Sequence, residues 1–190
     1  MGRDVSVTTK FRNIDKFYNK PPQNYYLSTA RFDELKRVDK IIEAFKQMPD
    51  KNLVLCSSGS EDKQLRNLAK DSANINFVGQ VSDEKLHKLI SECIATIYIP
   101  KDEDFGMSPV ESMAAGKPVI CSGHGGPTES VVNGETGCYV NECDLEQSII
   151  DCVTKLDVNQ VINMRKACQQ RALKFSEENF HKRIRRYVLG

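Results

Sequence analysis

Residues 95–122 read ATIYIPKDEDFGMSPVESMAAGKPVICS, and this stretch decides the fold. Its apolar beginning, Ala95–Ile99, is typical of a buried strand, and Lys117–Ser122 begins the next strand. An acidic loop and a short helix lie between the two strands. Strand, loop, helix and strand in this order form the unit that builds a parallel sheet. Ligands of such sheets bind beyond the carboxyl ends of the strands, which is where we expect this loop to lie.

The short helix of this stretch carries start and stop signals. The chain turns at Phe105 and Gly106, and we predict Ser108 as the N-cap with Pro109 at the first helical position. Gly116 is predicted to end the helix, because glycine readily adopts the left-handed conformation that follows a helix.

Two carboxylates flank the start of this helix. Glu103 precedes it and Glu111 lies about one turn inside it, with seven residues between them. Free backbone amides of Gly106, Met107 and Ser108 can face an anion there. A phosphate at these amides and hydroxyl groups at the carboxylates would suit a sugar nucleotide. The alternative is that the acidic residues only complement the helix dipole.

Length and composition exclude several classes of protein. The chain has 190 residues and a net charge of +1, which suits one domain and implies no nucleic-acid or acidic-membrane partner. It contains no run long enough to span a membrane, and its polar start, Met1-Gly-Arg-Asp, does not resemble a signal peptide. Seven cysteines without a C-x-x-C pair are interpreted as reduced thiols of a cytoplasmic protein, rather than a disulfide framework or a zinc site.

The remaining sequence alternates between strand and helix patterns. Residues 1–23 are polar, end in Pro21 and Pro22, and are predicted to be an N-terminal extension or linker before a domain at 24–190. The alternation predicts a doubly wound, Rossmann-like parallel α/β sheet with helices on both faces and extra C-terminal helices. Predicted strands occupy 25–28, 53–57, 75–78, 95–99, 117–122 and 137–140, and predicted helices include 38–45, 61–69, 82–90, 144–156, 159–175 and 176–188.

The loop after the first predicted strand is basic. Residues 30–39 read ARFDELKRVD, so Arg31 together with Lys36 or Arg37 can converge on one anion. Arginine offers a fork of donors and lysine a mobile point charge, a pairing that suits a diphosphate. The alternative is a solvated basic patch, which is the interpretation we favour for Arg37 and Lys40.

A glycine-rich loop follows the strand at 117–122. Residues 122–129 read SGHGGPTE, and Gly125 and Gly126 would let the backbone approach a ligand closely. The alternative is an ordinary tight turn between a strand and a helix.

With these pieces in order, the sequence resembles the C-terminal, donor-binding domain of retaining glycosyltransferases of family 4, which have the two-domain GT-B architecture. The resemblance covers about residues 24–156. It rests on ARFDELKRVDKIIEAF, NINFVGQVSDEKLHKLI, EDFGMSPVESMAAGKPVI and GGPTESVVNGETGCYV. Within the family, the chain looks most like mannosyltransferases of O-antigen and capsule assembly, which points to GDP-mannose as donor. A UDP-sugar is the alternative donor.

The resemblance implies specific residue roles. Arg31 and Lys36 would hold the donor diphosphate and stabilise the leaving nucleotide, and Glu103 would bond the hydroxyls of the transferred sugar. Glu111 would hold the ribose. The remaining donor contacts would come from the base loop at Val81 and Asp83, from Phe105, Gly106, Met107 and Ser108, and from Gly125 and Gly126. The family needs no metal and no cofactor for this reaction, and we find no metal-ligand cluster in the sequence.

The resemblance also implies a second domain. A GT-B enzyme binds its glycan or lipid-linked acceptor through an N-terminal domain, for which residues 1–23 are too few. We therefore expect a donor domain that is inactive by itself, cytoplasmic, and peripheral to a membrane only through the missing domain. The alternatives are a non-catalytic nucleotide-sugar-binding module or a subunit of a split glycosyltransferase. A generic nucleotide-binding domain is disfavoured because no G-x-G-x-x-G follows the first strand.

Overall fold

Strands and helices alternate in the computed structural model, which describes residues 16–179, 181, 182 and 185. Its strands are β1 (Tyr26–Ser28), β2 (Leu53–Leu55), β3 (Ile75–Phe77), β4 (Thr96–Tyr98), β5 (Val119–Ser122) and β6 (Gly137–Val140). Its helices are α1 (Val38–Lys46), α2 (Asp62–Leu68), α3 (Asp83–Glu92), α4 (Met107–Ala114), α5 (Pro127–Ser130), α6 (Leu145–Lys155) and α7 (Val158–Leu173). Two 3₁₀ segments are found at Glu34–Lys36 and Glu142–Asp144.

The six strands form one parallel sheet in the order β3-β2-β1-β4-β5-β6. β1 and β4 lie side by side at its centre, where Leu27 pairs with Thr96. Because crossovers between parallel strands are right-handed, the chain covers opposite faces as it winds outward from this centre in each direction. Helix α1 packs against α2 and α6 on one face, and α4 packs against α7 on the other. The predicted doubly wound α/β fold is confirmed.

Burial follows position in the sheet. Every residue of β1, β4 and β5 is buried, as expected for strands covered on both faces. The edge strand β3 is only partly buried. The core therefore surrounds the strands β1, β4 and β5.

The start of α4 differs from the prediction. The helix begins at Met107, with Gly106 as its N-cap at φ 76°, so Pro109 is the third helical residue rather than the first. Proline is tolerated there because the amide that it lacks would have no partner within the first turn. The left-handed Gly106 turns the chain into the helix two residues earlier than the Ser108–Pro109 signal indicates. Gly116 ends the helix as predicted, with φ 70°.

The cysteine interpretation is wrong for one pair. Cys138 of β6 and Cys152 of α6 form a disulfide, with a Cα–Cα distance of 5.8 Å. Their separation of 14 residues gave no signal, because only the packing of α6 beside β6 brings the two thiols together. Cys56, Cys93, Cys121 and Cys168 are buried free thiols, and Cys143 is exposed.

The predicted linker is packed onto the domain where the structure describes it. The Phe17 ring is buried and lies 4.6 Å from the His87 ring. The ammonium of Lys117 donates to the backbone carbonyl of Lys20 at 2.9 Å, and burial lowers the Lys117 pKa. Residues 1–15 and part of the predicted helix 176–188 lie outside the described residues, so the linker assignment stays a prediction.

A close backbone contact at the β5–β6 pair gives a stability prediction. A Cβ at Gly137 would lie 2.1 Å from the Val119 carbonyl oxygen, whereas a Cβ at Gly123 would lie 3.2 Å from its nearest atom. Gly137→Ala should lower the free energy of unfolding by about 1–3 kcal/mol through forced displacement of the strands. Gly123→Ala is the matched control and should cost clearly less. Urea unfolding measures both, and equal losses would contradict the contact.

Candidate functional site

The loops that leave β1 and β4 meet at the carboxyl edge of the sheet. The chain turns outward in opposite directions from these two strands, which leaves a crevice between their loops. The backbone amide of Lys101 donates to the carbonyl of Leu35 at 2.8 Å, which ties the loop after β4 to the 3₁₀ segment after β1. Leu35 and Lys101, which are 66 positions apart in sequence, therefore share one site.

Lys36, Glu103 and Tyr98 form a hydrogen-bonded cluster in this crevice. The Lys36 ammonium donates to Glu103 Oε2 at 2.6 Å and to the Tyr98 hydroxyl at 3.3 Å. The Tyr98 hydroxyl donates to the same Glu103 oxygen. The Lys36 and Glu103 side chains are each about one-fifth exposed, so a ligand can reach them while bulk water screens their charges only in part.

The cluster keeps Glu103 ionised. Burial by itself would raise the Glu103 pKa, but the hydrogen bonds from Lys36 and Tyr98 outweigh it, so the pKa lies below its usual range. Burial and the Glu103 carboxylate raise the Tyr98 pKa, so the phenol stays protonated and acts as a donor. The site therefore presents a Glu103 carboxylate that remains charged near neutral pH, beside the Lys36 side chain.

Arg31 lies on the same loop but does not join this cluster. Its side chain is 76% exposed, and its Nε donates to Asp33 at 2.9 Å. Because most of this side chain is exposed, a movement of it would break the ion pair with Asp33 but would disturb little packing. The structure thus places one of the two predicted diphosphate ligands in the crevice and the other at its rim.

Arg37 is not a solvated residue. Its guanidinium donates to the carbonyls of Ile99 at 2.7 Å and Pro100 at 3.0 Å, to Ser122 Oγ at 3.1 Å, and to the Glu142 carboxylate. It thereby joins the carboxyl ends of β4, β5 and β6. Sequence reasoning missed this role because all of its partners lie at least 62 residues away.

The Arg37 backbone adopts an unusual conformation. Its φ of 52° is the only left-handed value of a non-glycine residue among the described residues. Such a conformation is uncommon outside glycine. It separates the 3₁₀ segment from α1, so that Lys36 and Arg37 leave the backbone in different directions.

By contrast, Lys40 makes an exposed ion pair with Glu146 at 3.0 Å, in agreement with the solvated alternative.

Glu111 and the first turn of α4 face the same edge of the sheet. Glu111 is 6% exposed and lies one turn into the helix, as predicted. No acidic residue occupies the first turn, so the carboxylates do not complement the dipole from there. The amides at the start of α4 have no acceptor within the helix and remain available to an anion.

Gly125 and Gly126 permit a contact between two loops of the protein itself. A Cβ at Gly126 would lie 2.3 Å from the Phe105 backbone nitrogen, and the Gly126 amide donates to the Glu103 carbonyl at 2.8 Å. Gly125 has φ 68°. The predicted close approach therefore exists, but its observed partner is the loop that carries Glu103. The role of these glycines toward a donor stays a prediction.

Two further parts of the chain border the site. Val81 is half-buried and Asp83 begins α3, whose N-cap Ser82 accepts from the Lys85 amide at 3.3 Å. Both follow β3 and so lie at the same edge of the sheet, two strands from β1. On the other side, the Phe105 ring lies 5.7 Å from the Phe175 ring beyond α7.

Sequence reasoning also missed Tyr98. The apolar pattern of Ala95–Ile99 predicted a buried strand, and this prediction gave Tyr98 no role. A tyrosine at the last residue of a strand, just before a functional loop, is the signal that could have marked it, because a buried hydroxyl needs a partner.

Within the described residues, no group of three histidine, cysteine or acidic side chains is placed to hold a metal. In the same part of the chain, no helix is both long and apolar enough to cross a membrane.

Comparison with known proteins defines the class. The family model "Glycosyl transferases group 1" matches residues 10–175, and the chain therefore belongs to this family. Its six-stranded parallel sheet with flanking helices is the Rossmann-like α/β fold of the GT-B glycosyltransferase structures that it matches.

Individual relatives extend the comparison. The chain is similar to the alpha-1,3/1,6-mannosyltransferase ALG2 of Mus musculus, with 25% identity, over 97% of this chain and 49% of that protein. Sucrose-phosphate synthase from Thermosynechococcus elongatus has the same fold, with a TM-score of 0.82, 24% identity, and 94% of this chain and 51% of that one covered. The C-terminal domain of a group 1 glycosyl transferase from Francisella tularensis matches with a TM-score of 0.74 and 20% identity, over 87% of this chain and 99% of that one. The chain spans about half, or less, of the length of the curated relatives it matches.

The Arg37 contacts predict a stabilising role. Arg37→Met keeps the side-chain stem but removes the donor to Glu142, to Ser122 Oγ and to the carbonyls of Ile99 and Pro100. It should lower the free energy of unfolding by about 2–3 kcal/mol, the scale of hydrogen bonds to charged groups. Arg31→Met removes only an exposed pair and should cost less than about 1 kcal/mol. Urea denaturation of both variants tests this, and similar small losses would contradict the inferred role of Arg37.

Proposed function

We propose that this chain is the donor-binding half of a retaining hexosyltransferase that transfers mannose from GDP-mannose. The observation that carries the proposal is the Lys36–Glu103 pair, which places a cation and a hydroxyl acceptor 2.6 Å apart at the crevice of the sheet. A sugar nucleotide has its diphosphate next to its sugar ring, so this pair matches the junction of the two. The similarity to a mannosyltransferase supports the choice of sugar.

The basic groups would supply the main catalytic effect. Negative charge develops on the leaving diphosphate in the transition state, and fixed positive groups beside it stabilise that charge. Lys36, which donates to Glu103 and to Tyr98, would bind these phosphates together with the exposed Arg31. The amides of Met107 and Ser108 at the start of α4 would add donors without any need for a metal.

The two carboxylates would recognise different parts of the donor. Glu103 beside Lys36 would accept hydrogen bonds from the hydroxyls of the transferred sugar. Glu111, deeper in the crevice, would bind the ribose. Val81 and Asp83, after the edge strand β3, would lie beside the base.

The acceptor belongs to the other half of the enzyme. The chain covers 49% of the mouse mannosyltransferase, and GT-B enzymes build their acceptor surface from a second domain. Transfer requires an acceptor hydroxyl held against the anomeric carbon, and much of the rate comes from that positioning. The 190-residue chain is therefore expected to bind donor and to transfer little sugar to a glycan or lipid-linked acceptor.

The first test is nucleotide binding. A ligand that binds the native state stabilises it and raises its melting temperature. GDP should raise the melting temperature of the chain more than UDP or ADP, because GDP is the nucleotide of the proposed donor. The gain is about 2.7 kcal/mol at a ligand concentration 100 times the dissociation constant. Thermal shift and calorimetry with GDP, UDP, ADP and their sugars measure the order. If none of these nucleotides shifts the melting temperature at millimolar concentration, the proposed donor site is wrong.

The second test separates the two carboxylates. Glu111→Ala should weaken both GDP and GDP-mannose, because its proposed partner is the ribose. Glu103→Ala should weaken only GDP-mannose, because its proposed partner is the sugar. Each loss should be about 1.5–3 kcal/mol, the scale of one hydrogen bond to a charged group. Equal losses for both ligands in both variants would contradict this assignment.

A further inference from the structure

Tyr98 connects the rigid sheet to the loop that carries Glu103. It is the last residue of β4 and is 7% exposed. Its hydroxyl donates to Glu103 Oε2, the same oxygen that accepts from Lys36 at 2.6 Å. Lys36 also donates to the Tyr98 hydroxyl at 3.3 Å, which closes a three-membered ring of hydrogen bonds. Of the three hydrogen-bonded residues, Tyr98 is the one whose backbone belongs to a central strand.

The ring of hydrogen bonds leaves part of the carboxylate available. A carboxylate offers about four acceptor positions on its two oxygens. In Glu103, two of them accept from Lys36 and Tyr98, both on Oε2. At least one position therefore remains for a hydroxyl group, and the existing bonds set its direction.

The Tyr98 ring also supports the loop by contact. A Cβ at Gly106 would lie 2.9 Å from Tyr98 Cε1 and 3.3 Å from Glu103 Cγ, so the ring, the glycine and the glutamate stem are in close contact. The neighbouring loop residues Lys101, Asp102 and Asp104 are exposed. An exposed loop loses conformational freedom when it binds a ligand unless something already orders it. Tyr98, which is fixed in strand β4, restricts the conformation of this loop before any ligand binds.

We propose that Tyr98 is a positioning residue that holds the Glu103 carboxylate in the orientation in which it accepts the hydroxyls of the donor sugar. This inference rests on the proposed donor site and goes beyond it, because it assigns sugar recognition to a residue that does not touch the sugar. The hydroxyl of Tyr98 acts on the sugar part of the donor and leaves the nucleotide part unaffected.

The experiment compares Tyr98→Phe with Tyr26→Phe. Both variants keep a buried ring and lose one hydroxyl, but the Tyr26 hydroxyl bonds the carbonyls of Val153 and Leu156, away from the site. Calorimetry with GDP and GDP-mannose at pH 7.5 gives the affinities. Tyr98→Phe should weaken GDP-mannose by about three- to tenfold, the scale of one lost hydrogen bond, and leave GDP unchanged. Tyr26→Phe should leave the affinities for both ligands unchanged.

A pH titration provides a readout that a purely structural role would not move. The groups near the Glu103 carboxylate are Lys36, Tyr98 and, beside Tyr98, Asp33, with Asp102 and Asp104 flanking Glu103 in its loop. Protonated Glu103 accepts hydrogen bonds more weakly than the carboxylate does, so GDP-mannose affinity should fall as the pH drops through the Glu103 pKa. Tyr98→Phe removes a bond that lowers this pKa, so the fall should begin at a higher pH than in the wild type. GDP serves as the control ligand for protonation of the phosphates.

Carbon NMR of the Glu103 carboxyl group, assigned with Glu103→Gln, measures the same pKa shift without any ligand. The inference would be overturned if Tyr98→Phe kept the wild-type affinity for GDP-mannose, or if GDP and GDP-mannose weakened equally. An unchanged carboxyl titration would also overturn it. Failure of the donor-site proposal would give a different result, because the wild-type chain would then bind neither GDP nor GDP-mannose. The NMR titration would still report whether Tyr98 holds Glu103.

Discussion

The adjacency of β1 and β4 is the constraint on which the rest of this structure depends. These strands pair at the centre of the sheet, and the chain winds away from them in opposite directions. Their carboxyl ends therefore carry two loops that diverge and leave a crevice. Lys36 enters it from one loop and Glu103 from the other. Without this pairing, Lys36 and Glu103, which are 67 positions apart in sequence, would also lie far apart in space.

Two adjacent basic residues serve different purposes in this arrangement. Lys36 faces the crevice, whereas the left-handed Arg37 directs its guanidinium to the ends of β4, β5 and β6. Arginine suits the second position because its planar fork can donate to several acceptors at once. Lysine suits the first because its flexible stem lets one ammonium donate to both Glu103 and Tyr98. The arginine thus holds the strand ends that support the loop with which the lysine pairs.

Much of the fold could be predicted because the relevant signals are local. A short apolar run beside glycine and proline predicts a strand, and helical spacing predicts a helix, so the alternation along the chain indicated the doubly wound sheet. The exceptions arose where a contact between distant segments decided the outcome. The start of α4 depends on the left-handed turn at Gly106, against the Tyr98 ring. The disulfide depends on α6 lying beside β6.

The sequence by itself determined the alternating pattern, the residue types available for phosphate and hydroxyl binding, and the loops that carry Lys36, Glu103 and Glu111. The tertiary structure decided which of these groups meet. It paired Lys36 with Glu103, left Arg31 at the rim, and placed the half-buried Arg37 among strand ends. It also added Tyr98, which a strand pattern could only classify as apolar. The physical reason is that hydrogen bonds and ion pairs act over a few ångströms in space, and sequence patterns carry information about neighbours along the chain.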